Sequence, residues 1–286
     1  MFPFTLSRKK EPVYGNTSQQ RLYGFSGAAI SDIGCTRANN EDNFVFGKNI
    51  NYECADHCLI NVAFSHFSND WHVACVLDGM GGGEMGEVAS SNTAKILLDN
   101  LSHIEHAQAK TEVDLILRKV FLEANNQILS LQKEYQILGT TATVLCTNGT
   151  EFKVYYLGDS RAYWMRGREL LQITKDQTLA QVKIDAGIYR EGDPLTELDK
   201  HKLTDYIGRD KSREHLKPEE SPWFPIQKGD KILLCSDGLT NMCPNDVLSR
   251  ILYENASASE AASRMVSTAK ANGGTDNITC VVIHFS

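Results

Sequence analysis

No apolar run in the chain approaches the ~18 residues that a membrane helix needs, so no membrane-spanning segment is expected. Positive charge is also short. Lys and Arg number 29 against 36 Asp and Glu, a net charge of −7, and because phosphate backbones are bound mainly by Lys and Arg, nucleic acid is not an expected partner. The first ten residues, MFPFTLSRKK, place apolar residues ahead of Arg8, Lys9 and Lys10, the reverse of a signal peptide's order. Several of the cysteines, such as Cys75, Cys146, Cys235 and Cys280, lie inside apolar runs where Cys serves as a small buried hydrophobe. A reduced, cytoplasmic chain is the expectation. No linker divides the 286 residues, which can bury a sizeable core, and a single domain over 25–286 is expected after an N-terminal extension over 1–24.

What the chain does have is acidic turns. In LDGMGGGEMGEVASS (77–91), Asp78 ends the apolar run Val73–Leu77 and is followed by Gly79, Gly81, Gly82 and Gly83. A carboxylate at a strand end beside backbone without side chains can hold a cation and leave room for a substrate. One such turn is weak evidence, but the pattern recurs. Gly158-Asp159-Ser160-Arg161 follows Tyr155–Leu157, Ser236-Asp237-Gly238 follows Ile232–Cys235, and Thr275-Asp276-Asn277 precedes Ile278–Phe285. Arg37, Asn40, Glu41 and Asp42 stand before Phe44–Phe46. Singly these are ordinary turns. On strands lying side by side they would gather at one end of a sheet, and that much negative charge is tolerable only with cations present. Oxygen ligands without a Cys or His cluster select Mg²⁺ or Mn²⁺ over Zn²⁺.

Helical spacing runs through residues 94, 97, 98 and 101, and again from Val113 to Leu131. Ser257 with Glu260 forms a capping box for a helix that Gly273 ends. Short β-rich runs at 142–146, 152–157 and 161–165 read as an antiparallel meander. Strand runs alternating with helix pairs predict two sheets covered by helices.

Seven stretches then fall in a recognisable order: GCTRANNEDNF (34–44), VLDGMGGGEMGEVAS (76–90), GTTATVL (139–145), LGDSRAYW (157–164), LLQITKDQT (170–178), GDKILLCSDGLTN (229–241) and GGTDNITCVVI (273–283). With these the chain resembles the metal-dependent protein phosphatases of the PPM family, the type 2C serine/threonine phosphatases, in their bacterial form. The resemblance implies an α+β fold, a central β-sandwich of two antiparallel sheets flanked by helices on both sides, with a metal site at one end. It implies a cytoplasmic signalling enzyme that removes phosphate from phosphoserine and phosphothreonine proteins, opposite a cognate kinase, with two Mn²⁺ or Mg²⁺ ions. By the same resemblance Asp78 bridges the ions, the carbonyl of Gly79 is a further ligand, and Asp237 and Asp276 complete the set. Glu41 and Asp42 would hold bound waters or act as partial ligands, and Arg37 would clamp the phosphate through its paired donors. A catalytically weak phosphoprotein-binding relative and a phosphatase of small phosphoesters remain alternatives.

Four places depart from the family pattern. Met80 stands where many members have a His thought to protonate the leaving alcohol, so that proton is expected from water. Gln177 also replaces a usual His. A third, weaker metal is held in some members by the counterparts of Asp159 and Asp237 together with a carboxylate, and here that last position is Asn241. The stretch 47–72 is long and contains Cys54, His57, Cys58 and His66, but their spacing fits no standard zinc finger and a surface hairpin is expected instead. The polar segment 181–207 takes the place of the family's variable flap and is expected to contact the phosphoprotein.

Overall fold

The run Ile278–Phe285 is buried at all eight positions, so this strand must be covered on both faces. The computed structural model describes residues 22–51, 55–64, 70–81, 85–132, 138–190, 192–210 and 216–286. In chain order its elements begin with β1 (Phe25–Asp32), β2 (Asn43–Phe46), β3 (Asn49–Ile50), β4 (His57–Phe64), β5 (His72–Leu77), β6 (Gly79–Gly81), α1 (Met85–Glu105) and α2 (Lys110–Leu131). There follow β7 (Leu138–Thr140), β8 (Ala142–Thr147), β9 (Glu151–Leu157), β10 (Arg161–Arg166), β11 (Glu169–Gln172), α3 (Leu179–Asp185) and a 3₁₀ turn (Pro194–Leu198). The chain closes with β12 (Glu219–Glu220), β13 (Phe224–Pro225), β14 (Lys231–Cys235), α4 (Asp237–Thr240), α5 (Asn245–Glu254), α6 (Ala258–Ala271) and β15 (Ile278–Phe285).

Two antiparallel sheets result, in the orders β11-β10-β14-β15-β1-β4 and β12-β9-β8-β5-β2-β3, with β13 also on β9 and β6 paired with β7 in a small ribbon. Period-two alternation builds the layers. In β15, Val281, Ile283 and Phe285 point inward and meet Ala74, Val76, Phe44 and Phe46 of the other sheet. Ile278, Cys280 and Val282 point outward beneath Leu248 and Ile251 of α5 and Ala262 and Met265 of α6. In β5, Val73, Cys75 and Leu77 face outward against Leu97 and Leu101 of α1 and Leu117 and Phe121 of α2. The expected helix-covered sandwich is therefore present.

Three expectations change. α1 begins at Met85, nine residues before the apolar periodicity, because its first buried stripe is Gly86, Ala89, Ser90 and Thr93, small residues that give no hydrophobic signal. The meander breaks after β9: β8 and β9 pair as expected, but β10 crosses to the opposite sheet and pairs with β11 and β14. Gly158 turns the chain out in the left-handed region at φ 101°, and a Cβ there would lie 2.6 Å from Thr141, so only glycine fits the crossing. The stretch 47–72 is not just a surface hairpin, since β4 pairs with β1 from Phe25↔Phe64 to Asp32↔His57 and forms an edge of its sheet. Cys54 and His66 lie outside the described residues.

Candidate active site

The crossing from β9 to β10, the ends of β5 and β14, and the starts of β2 and β15 all open at one end of the sandwich. They enclose a cleft of about 220 Å³ lined by Arg37, Glu41, Asp78, Gly79, Met80, Asp159, Asp237 and Asp276, all singled out from sequence. Asp42 stands behind the cleft, 1% exposed, and its Oδ2 accepts a 2.7 Å bond from Ser236 Oγ. Thr141, His201, Leu203 and Asn277 also line the cleft, although sequence reasoning had given them no role there.

Close backbone approach explains the glycines. A Cβ on Gly79 would lie 2.3 Å from the Gly86 carbonyl and 2.5 Å from the Glu41 carbonyl, and one on Gly86 would lie 2.7 Å from Glu41 Cδ. Three segments thus meet where neither Gly79 nor Gly86 could carry a side chain. Asp78 is fixed from both sides, its N–H donating to Thr141 Oγ1 at 3.0 Å and its carbonyl accepting from Thr141 N–H at 2.9 Å. Asn277 stitches the first acidic turn to the last: its Nδ2 donates to the carbonyls of Ile33 and Asn39, both at 3.0 Å, and its Oδ1 accepts the Glu41 N–H at 2.9 Å. Gln177 accepts the Gly158 N–H at 2.7 Å and so secures the crossing turn where a His was expected from the resemblance.

The electrostatics are those of a site short of positive charge. Burial first, then Asp42, Asp237, Asp159 and Asp276, hold the Asp78 carboxyl well above its ordinary value. Burial and Asp237 do the same to Asp159, burial lifts Glu41, and burial with Asp276 and Asp237 pushes Asp42 up to about 7 against the bonds from Ser236 and Thr279. Two groups in the cleft offset this. Arg37 Nη2 donates to Asp276 Oδ2 at 2.7 Å, and His201 Nδ1 lies 3.3 Å from Asp237 Oδ2, an oxygen that also accepts from Asn241 Nδ2 at 3.0 Å. Asp237 beside it holds the His201 imidazole above its ordinary value.

An all-oxygen donor set carrying excess negative charge suits Mg²⁺ or Mn²⁺. Among the described residues no three Asp, Glu, His or Cys side chains close on a single ion by themselves. Any ion held here would therefore complete its shell with backbone carbonyl and water, as hard divalent ions commonly do. Asp159 reaches the cleft alongside Asp237.

Comparison with known proteins identifies the family and the fold. The family model described as protein phosphatase 2C matches residues 51–279. The serine/threonine phosphatase stp of Listeria welshimeri is 32% identical over 214 residues, 74% of this chain and 83% of that one. A solved structure of the catalytic domain of the phosphatase PstP in complex with two manganese ions is 28% identical with a TM-score of 0.71, covering 92% of this chain and 99% of that one. The S. agalactiae serine/threonine phosphatase, 24% identical, shares the fold with a TM-score of 0.77 over 92% of this chain and 100% of its own. By its matched residues, its fold and its cleft, the chain belongs to the protein phosphatase 2C family.

Proposed function

We propose that this chain is a cytoplasmic serine/threonine phosphoprotein phosphatase that hydrolyses phosphomonoesters with two Mn²⁺ or Mg²⁺ ions and opposes a cognate kinase. The observation that carries this reading is the gathering of Asp78, Asp159, Asp237 and Asp276 around one cleft bordered by Arg37. Asp78, Asp237, Asp276 and the carbonyl of Gly79 would hold the ions, Glu41 and Asp42 would orient water at them, and Asp159 with Asp237 would hold a weaker third. Such ions, when bound, offset charge on phosphoryl oxygens and lower the pKa of water.

The chain's own residues do the rest. Arg37, half exposed, exchanges its bond to Asp276 for paired bonds to two phosphoryl oxygens. Met80 at the cleft wall has no proton to give, so it cannot protonate the departing alcohol. The segment 181–207 flanks the cleft through His201 and Leu203, and its apolar side chains Val182, Ile188, Leu195 and Leu198 are all at least half exposed, which supports contact with a protein substrate there. The full-length pairing of β1 with β15 supports one catalytic domain that closes its first strand on its last; Tyr23 and Gly24, placed by the sequence in the extension, are already bonded to this body through Gly149 and Ser286. No helix among the described residues is long and apolar enough to cross a membrane.

The test is phosphate release from a phosphothreonine peptide and from an aryl phosphate, with added Mn²⁺ and with chelator. Hydrolysis of the peptide only with metal is expected. Undiminished activity in chelator would refute the two-metal reading, and turnover of the aryl phosphate alone would point to small phosphoesters.

A further inference from the structure

Behind the cleft lies a charged cluster that the chemistry above does not use. Asp32, the last residue of β1, has a side chain only 5% exposed and is encircled by donors. Lys270 Nζ donates to both its oxygens at 2.8 and 3.0 Å, the Gly34 N–H donates at 2.9 Å, and His57 Nδ1 lies 2.9 Å away. A carboxylate accepts only, so His57 carries its proton on Nδ1. Burial alone would raise the Asp32 carboxyl, but the bonds from Lys270, Gly34 and His57 outweigh it and keep the group below its ordinary value and ionised.

The partners say what is being held. Gly34, two residues on, takes φ 83° and packs so tightly on the last acidic turn that a Cβ would lie 2.1 Å from the Asp276 carbonyl oxygen. Cys35 N–H then donates to the Gly274 carbonyl at 2.7 Å, and two residues later Arg37 reaches Asp276. Lys270, for its part, sits in the last turn of α6, three residues before the Gly273-Gly274 step that leads into Asp276. Asp32 therefore grips both sides of the seam between the Arg37 loop and the Asp276 loop, and His57 ties the same point to the edge strand β4. We propose that Asp32, braced by Lys270 and His57, is a positioning residue that sets the Arg37 loop against the Asp276 loop, so that the guanidinium is delivered to the phosphate.

The proposal rests on Arg37 being the phosphate clamp, and a mutant cycle separates the two. Steady-state kinetics on a phosphothreonine peptide at saturating Mn²⁺ are measured for Asp32→Asn, Lys270→Gln, Arg37→Ala and the double variant Asp32→Asn with Arg37→Ala. A positioned group shifted by a fraction of an ångström predicts that Asp32→Asn raises KM about tenfold and leaves kcat within about twofold. Lys270→Gln should raise KM in the same direction by less. In the double variant KM should match that of Arg37→Ala alone, because a misplaced side chain that is already absent cannot be lost again. A merely structural Asp32 would lower the active fraction, and hence kcat, instead. Multiplying effects in the double variant, or unchanged KM in Asp32→Asn while Arg37→Ala raises it, would overturn the proposal. Unchanged KM in Arg37→Ala would overturn the clamp reading and this proposal with it. Should Asp32→Asn fail to fold, the same cycle is run with Lys270→Gln, which keeps the carboxylate.

Discussion

Gly79→Ala adds one methyl group at the point where three segments of the site meet. The new Cβ would lie 2.3 Å from the Gly86 carbonyl oxygen, 2.5 Å from the Glu41 carbonyl oxygen and 2.5 Å from the Gly86 carbonyl carbon. All three neighbours are backbone, so no side chain can swing aside. Reaching even the 3.0 Å below which real contacts essentially never fall requires the start of α1 to retreat by about 0.7 Å and the Glu41 turn by about 0.5 Å. Overpacking of this kind costs about 1–3 kcal/mol, which for a chain of this size lowers Tm by roughly 2–5 °C. The functional loss should be larger, because a displacement approaching 1 Å in a positioned site costs on the order of 100-fold in rate. Gly167→Ala is the control: it has φ 63° with nothing within 4 Å of its Cβ, so it should lose about 1 kcal/mol to backbone strain and keep full activity. Calorimetric Tm in chelator, Mn²⁺ affinity by titration calorimetry and kcat/KM on a phosphothreonine peptide test both variants. If Gly79→Ala retains Mn²⁺ affinity and kcat/KM within about threefold of the unmodified protein, the packing argument is wrong.

Arg37→Ala should raise KM by roughly 30- to 150-fold, the loss of a paired charge-assisted contact worth about 2–3 kcal/mol, with Arg37→Lys recovering part of it. Since its ion pair with Asp276 is half exposed, the same change should move Tm little, and a large fall in Tm with KM unaltered would mark Arg37 as structural. Asp78→Asn, Asp237→Asn and Asp276→Asn should each cut hydrolysis by more than ~100-fold, beyond what loss of a supporting residue costs, and Asp78→Asn should also raise metal-free stability by relieving repulsion; retained turnover in any of them would contradict the ligand assignment. Asn241→Asp places a second carboxylate against Asp237, so calorimetric titration should show tighter binding of an additional Mn²⁺ and a lower metal-free Tm, and an unchanged isotherm would remove Asn241 from the account. Burial, with Lys231 beside it, pushes the His284 imidazole down to about 4 from 6.5, so the unfolded chain binds the extra proton and stability present above pH 6.5 is lost as pH falls toward 4, by up to ~3 kcal/mol. His284→Gln should abolish that share of the acid loss in urea unfolding at pH 7 and 4, and equal acid sensitivity of the two proteins would refute it.

The acidic turns could be read from sequence because a carboxylate beside glycine at the end of an apolar run leaves a local mark, and Asp78, Asp237 and Asp276 do meet in one cleft. The two-sheet architecture was legible because short β-rich runs alternating with helical spacing are local marks too. What escaped was whatever depends on contacts far apart in the chain. His201 comes from a polar segment with no motif and meets Asp237 only through the tertiary fold, and nothing in the run LDKHKL marks it. Asn277 was visible as a turn residue, but its three bonds to residues 33–41 were not. The crossing of β10 was missed because a short turn between two β-rich runs looks the same whether the next strand stays in its sheet or leaves it, and only the space beside Gly158 decides.

The pairing of β1 with β15 also bears on how the protein is made. Glu41 and Asn277, which share a hydrogen bond, are separated by 236 positions. At 5–20 residues per second a ribosome needs roughly 10–50 s to travel from the first to the second, many times the ms–s in which even non-local β pairing is completed. During that interval β1 has no partner on its β15 side, and the loop bearing Arg37, Glu41 and Asp42 has nothing to dock against. A nascent chain halted before Ile278 would carry every acidic group of the site and still lack the cleft, so catalytic competence should arrive as a single late event rather than accumulate with length.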